Sequence, residues 1–159
     1  MNDMNKIQPD ELLLYQTRRI QELMEETLQC CEMRMAFLSR KFSLPQAEFR
    51  CLLLFRGEHY LTVKGIAQRL EVAKSRVSKI LAGLMEKKLI HSLDDPQDGR
   101  VKLIGLTSAG QVKCQELGQL ITNIHERILL ELEPDQRKAV LSSLDLLRAS
   151  MEAVKKGLT

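Results

Sequence analysis

The chain has 159 residues, of which 44% are hydrophobic but only 4% aromatic, with no tryptophan. That length suits one compact unit, and so few aromatics point to a helical core of Leu, Ile, Val and Met. A net charge of +3 excludes a protein that coats nucleic acid diffusely. No apolar run approaches the ~20 residues of a membrane span, and the opening Met1 to Lys6 carries no signal-peptide core. A cytoplasmic protein is therefore expected, with Cys30, Cys31, Cys51 and Cys114 as reduced thiols.

In chain order, Pro9 and Asp10 open a long helical pattern. Leu13, Ile20, Met24, Cys31, Met35, Leu38 and Phe42 recur at helical steps as one continuous stripe. Roughly thirty residues of helix exceed what a small domain can bury alone. Ser43-Leu-Pro-Gln46 ends this helix and begins another, with Ser43 read as the new helix's cap and Gln46 in the capping-box position. From Gln46 to about Arg56, the residues Phe49, Leu52, Leu53 and Phe55 are candidate core. Gly57 to Tyr60 form a loop, and Leu61 is a candidate for a short third strand.

From Thr62 to Leu70, the apolar positions Val63, Ile66, Ala67 and Leu70 follow the spacing of a buried helix face, and Thr62 can cap it. After a break at Glu71-Val-Ala73, a second helix runs from Lys74 to Leu84. Its Val77, Ile80, Leu81 and Leu84 point inward, while Lys74, Ser75, Arg76, Ser78 and Lys79 crowd its start and outer face. Short hydroxyls and long cations at a helix N-terminus can reach base edges and phosphates in a major groove. Two β-rich runs follow, Leu89–Leu93 and Val101–Leu106, joined by a tip holding Asp94, Asp95, Pro96, Asp98, Gly99 and Arg100. Pro96 presets φ for a turn and Gly99 permits a positive φ. An arginine on such a tip can enter a narrow minor groove, where the potential is most negative.

Charge is concentrated here. Between Ala73 and Lys102, seven cations face four acids, a surplus of three that equals the net charge of the whole chain. Local basic surface on a balanced protein is the pattern of directed DNA binding. Thr107 then caps a helix to about Leu132 with the stripe Leu117, Leu120, Ile121, Ile124, Ile128 and Leu132. Pro134 starts a last helix, in which Val140, Leu144, Leu147, Met151 and Val154 suit a partner helix.

Val72-x-x-Ser75-x-Val77-Ser78-Lys79, Leu84-x-x-Lys87-x-Leu89-Ile90, Asp94-x-Pro96-x-Asp98-x-Arg100 and Leu106-Thr107-x-x-Gly110 together resemble the MarR family of winged helix-turn-helix transcriptional regulators. Two positions depart from the family's pattern: Ala73 stands where a capping serine is usual, and Lys88 where glycine is usual. The resemblance implies a mainly α fold with a small β-hairpin wing. Residues 1–42 form an N-terminal dimerisation helix, 43–106 a winged helix-turn-helix lobe, and 107–159 C-terminal dimerisation helices, all one integrated unit. It also implies a homodimer on a pseudo-palindromic operator in double-stranded DNA, acting as a repressor, with no cofactor and no metal. Candidate DNA-binding residues are Lys74, Ser75, Arg76, Ser78, Lys79, Asp98, Arg100 and Lys102, with Asp98 orienting a neighbouring arginine rather than touching DNA. Lys64, Arg69, Lys87 and Lys88 are further candidate phosphate contacts. A small-molecule effector is expected between the dimerisation helices and the lobe, with Met35, Leu38, Phe42 and Phe49 as candidate liners.

Two rival readings stand beside this one. Some members of the family sense oxidants through a first-helix cysteine, which makes Cys30 or Cys31 a candidate redox switch. A buried structural cysteine is the plainer reading, since neighbours on a helix point about 100° apart and only one can face the core. A protein-binding winged-helix adaptor would use the same basic face on an acidic partner. Enzyme readings find no support, because the chain has no glycine-rich phosphate loop, no HExxH and no nucleophile elbow. His59, His91 and His125 are too scattered for a metal-ligand pattern.

Overall fold

A computed structural model describes residues 10–157; Pro9 and the rest of the polar lead lie outside the described residues. Helix α1 spans Glu11–Phe42, and the Asp10 side chain accepts from Leu12 N–H at its start. It ends by a backbone device, not at a proline. Ser43 takes up the left-handed conformation (φ 53°), and the N–H groups of Ser43 and Leu44 return to the carbonyls of Arg40 and Ser39. This is a Schellman end. The expectation that Ser43 caps the next helix is thereby corrected: helix α2, Gln46–Leu53, has Pro45 at its N-cap position with no side-chain hydrogen bond.

Strand β1 (Tyr60–Thr62) precedes helix α3 (Val63–Leu70), whose Gly65 N–H is accepted by Thr62 Oγ1 at 3.0 Å. Glu71, at φ 54°, turns the chain through a second Schellman end. Helix α4 (Lys74–Glu86) starts at Ala73 without any side-chain cap and stops at a third Schellman end, where Lys88 holds φ 57°. There Lys88 N–H reaches Met85 O and Leu89 N–H reaches Leu84 O. Strands β2 (Ile90–Asp94) and β3 (Lys102–Leu106) form the wing, and β3 also pairs with β1, giving the antiparallel order β1-β3-β2. Leu61 thus contributes the third strand. Gly99 has no positive φ; the tip turns through Asp95, whose carboxylate accepts from Gln97 N–H, and Asp98.

Helix α5 (Ser108–Leu130) and helix α6 (Pro134–Gly157) complete the chain. The core lies in the middle segment. Phe49, Leu52, Ile66, Val77, Leu84, Ile104 and Leu117 are enclosed, together with Leu38 from the last turns of α1. Burial of such a side chain contributes about 1.5–3 kcal/mol. The long terminal helices behave otherwise. Leu13, Ile20 and Met24 of α1 are exposed, as are Val140, Leu144, Met151 and Val154 of α6, which has no buried residue.

Candidate nucleic-acid interface

The inward face of α4 is fixed by Val77, Ile80, Leu81 and Leu84, all buried. Rotating from that stripe by the helical repeat places Lys74, Ser75, Arg76, Ser78 and Lys79 outward, and all five are exposed. Ser78 Oγ donates to Lys74 O at 3.2 Å, while the cations Lys74, Arg76 and Lys79 have no ion-pair partner among the described residues. A row of unneutralised cations on a rigid helix leaves their charge available to an anionic surface.

The wing presents one more cation. The Arg100 side chain is 92% exposed and is held by Asp98, whose Oδ1 accepts from Arg100 Nε at 3.0 Å and from Arg100 N–H at 3.1 Å. The hydrogen bond from the guanidinium, then that from the backbone, lowers the Asp98 pKa. Asp98 therefore stays ionised and restrains the arginine at the tip. Lys102 pairs across the hairpin with Asp94, so it is less available than Arg100. The secondary candidates divide the same way: Arg69 is paired with Glu58 at 2.7 Å and Lys87 with Glu48 at 3.0 Å, whereas Lys64 and Lys88 have no ion-pair partner among the described residues.

The junction behind the wing explains the Leu106-Thr107-x-x-Gly110 segment. Thr107 Oγ1 accepts from Gly110 N–H at 3.0 Å, capping α5, and donates to Lys88 O at 2.7 Å. Thr107 N–H donates to Leu89 O at 3.1 Å. A Cβ on Gly110 would stand 1.8 Å from that same Leu89 oxygen, so only glycine fits. The start of α5 is thus clasped onto the turn between α4 and the wing.

Residues 42–101 match the family model described as "MarR family". Over that segment the chain is similar to the MarR family. The HTH-type transcriptional regulator YxaD of Bacillus subtilis is 29% identical over 112 residues, which cover 64% of this chain and 78% of that protein. TcaR of Staphylococcus aureus (strain Newman), another HTH-type transcriptional regulator, is 32% identical over 90 residues, covering 55% and 59%. Among solved structures, FabT of Streptococcus pneumoniae in complex with DNA has the same fold, with a TM-score of 0.77 at 18% identity and coverage of 87% of this chain and 99% of that one. The chain accordingly has the winged helix-turn-helix fold.

Other sequence expectations are redrawn by the coordinates. Leu38 and Phe49 are closed core, 1% and 0% exposed, so neither offers a wall to a ligand. Met35 is half-buried against the same core, and Phe42 lines an open cavity of ~510 Å³ with Leu120 and Asn123. A larger cavity of ~590 Å³ lies between the loop after α2 and α5, lined by Arg56, His59, Leu106, Cys114 and Gln115 among others. Sequence reading missed it because its walls come from two segments, 55–59 and 106–122, far apart in the chain. Cys30 is exposed and Cys31 half-buried, so neither is the fully buried structural cysteine expected; Arg34 Nη2 lies 3.7 Å from Cys31 Sγ. The enclosed thiols are Cys51 and Cys114. Burial first, then the charge of Glu48, pushes Cys51 up to about 12.

Proposed function

We propose that the chain is a MarR-family transcriptional regulator that binds a pseudo-palindromic operator as a homodimer and represses transcription by occluding polymerase. The observation that carries the reading is the pairing of an unneutralised Lys74, Ser75, Arg76, Ser78 and Lys79 face on α4 with an Arg100 projected by Asp98. On this reading α4 enters a major groove and the wing arginine enters the adjacent minor groove, Lys102 serving the backbone. A bidentate arginine–guanine contact contributes roughly 1–3 kcal/mol of discrimination. The solved complex of FabT with DNA supports this direction.

Homodimerisation is supported by the exposed apolar faces of α1 and α6, since apolar area of that extent on a lone chain invites association. Helices α1, α5 and α6 then serve as dimerisation helices around the 43–106 lobe. A dyad between two such chains sets the recognition helices roughly 34 Å apart, one turn of B-DNA. An effector seated between lobe and dimerisation helices weakens operator binding by as much as its affinity differs between the two helix spacings.

Selection of duplexes from a randomised pool, followed by salt-dependent affinity of wild type and Arg100→Ala, tests the reading. The expected result is a dyad-symmetric sequence, affinity that falls steeply with salt, and loss of affinity in the variant. An unenriched pool and a variant indistinguishable from wild type would refute it.

A further inference from the structure

Glu48 is the one buried charged side chain among the described residues, 8% exposed on α2. Its carboxylate is taken up by Lys87, the C-cap residue of α4, whose Nζ lies 3.0 Å from Oε2 and donates to Oε1 at 3.2 Å. Lys87 also reaches Gly83 O, one turn back, at 3.4 Å. The carboxylate sits so close to α4 that a Cβ on Gly83 would stand 2.1 Å from Oε1. A glycine in the last turn of the helix, a buried acid and the helix's terminal cation therefore form one joint. Its place matters, because the next residue is the left-handed Lys88, and Leu89 then leads into β2.

We infer that Glu48 and Lys87 are positioning residues for DNA reading, fixing the rotation of α4 and the departure of the wing relative to α2; this rests on the operator-binding reading. An apolar stripe sets which face of a helix turns inward, but its attraction is non-directional, so it holds the fine rotation and the slide along the axis less tightly than a directional contact does. Val77, Ile80, Leu81 and Leu84 form such a stripe. Glu48 is buried while Lys87 keeps its side chain 36% exposed. An ion pair with a buried partner contributes little net stability, because desolvation offsets attraction, and the best-attested use of such pairs is to select one register. The geometry also removes Lys87 from the phosphate contacts that its charge suggests. Its ammonium is engaged from the protein side, by a carboxylate on another helix.

The two roles give opposite signs for Glu48→Gln. That substitution removes a negative charge near the DNA-binding face, so electrostatics alone predicts equal or tighter binding. Positioning predicts weaker binding, by roughly threefold to thirtyfold. The full chain with Glu48→Gln, Lys87→Met, both together, or Lys87→Arg is titrated with the selected duplex and with a shuffled one over a range of salt. Expected are similar losses on the selected duplex for both single variants, no further loss in the double, an unchanged salt slope, unaltered binding to the shuffled duplex, and recovery by Lys87→Arg. A phosphate contact would instead reduce the slope by about 0.9 in Lys87→Met alone, and that result overturns the inference. Loss on both duplexes in equal measure would mark a folding defect and overturn it too. Amide exchange of the free variants is independent of DNA: exchange should quicken across residues 84–89 and not across α3. Unchanged exchange there overturns the proposal even if no duplex is enriched, an outcome that would refute operator binding separately.

Discussion

Replacing Gly110 with alanine places a methyl group where the chain has no space for it. The added Cβ would lie 1.8 Å from Leu89 O and 2.9 Å from Leu89 C, both main-chain atoms that no rotamer change can move. A comfortable carbon–oxygen approach is roughly 3.3 Å, so the joint between α5 and the α4–wing turn must open by about 1.5 Å. Opening of that size breaks the hydrogen bonds from Thr107 N–H to Leu89 O (3.1 Å) and from Thr107 Oγ1 to Lys88 O (2.7 Å). Each contributes about 1 kcal/mol, overpacking adds about 1–3 kcal/mol, and alanine's higher helix propensity returns about 1 kcal/mol. The net expectation is a destabilisation of roughly 2–4 kcal/mol, or about 5–15 °C in Tm for a chain of this length. Circular dichroism melting at fixed protomer concentration measures it. Gly99→Ala is the control, because nothing lies within 4 Å of its added Cβ. A Gly110→Ala protein that melts with the control would show that the clasp at Leu89 is not a stabilising contact.

Two further outcomes follow from backbone strain and burial. Lys88 is an exposed residue held at φ 57°, so Lys88→Gly should raise stability by about 0.5–1 kcal/mol; a lower denaturation midpoint at unchanged slope would refute that strain. The Cys51 thiol, pushed up to about 12 by burial and by Glu48, should resist alkylation at pH 8 in the native protein and react on unfolding. Because an unfolded thiol ionises near pH 8.5, Cys51 favours the fold fully below that pH, and this contribution is lost as pH rises toward about 12. The denaturation midpoint should therefore drop between pH 8 and pH 10, less steeply in Cys51→Ala; equal slopes would place the sensitivity elsewhere.

Elements written in local periodicity were legible before any coordinates. The stripe of α4, the Thr62 and Thr107 caps and the two wing strands each depend on residues within a few positions of one another. What escaped depends on partners distant in sequence. Ser43 looked like a helix start because Ser-x-x-Gln fits a capping box, yet tertiary packing places it at a helix end in the left-handed region. Leu38 and Phe49 were equally plausible as pocket wall or core, and only three-dimensional packing closes them off. A buried cysteine was expected because the α1 stripe is apolar, yet among the described residues Cys30 stays exposed and Cys31 is only half-covered. Glu48 and Lys87 stand 39 positions apart, and neither carries a local sign that it has a partner.

The sheet order carries a consequence for how such proteins diversify. β1 lies before the two reading helices in the chain and β3 after them, yet Leu61 and Ile104 are direct cross-strand partners, about 5 Å apart. Everything that would meet DNA is thus one excursion whose two ends leave from adjacent points. Such a segment can be exchanged wholesale, as a cassette, without changing the span its scaffold must bridge. The three-residue ladder that closes it joins distant parts of the chain, so it bears a loop-closure cost that grows only slowly with the size of the insert. Recombination could therefore supply new reading segments to an old scaffold, or the same segment to a new one.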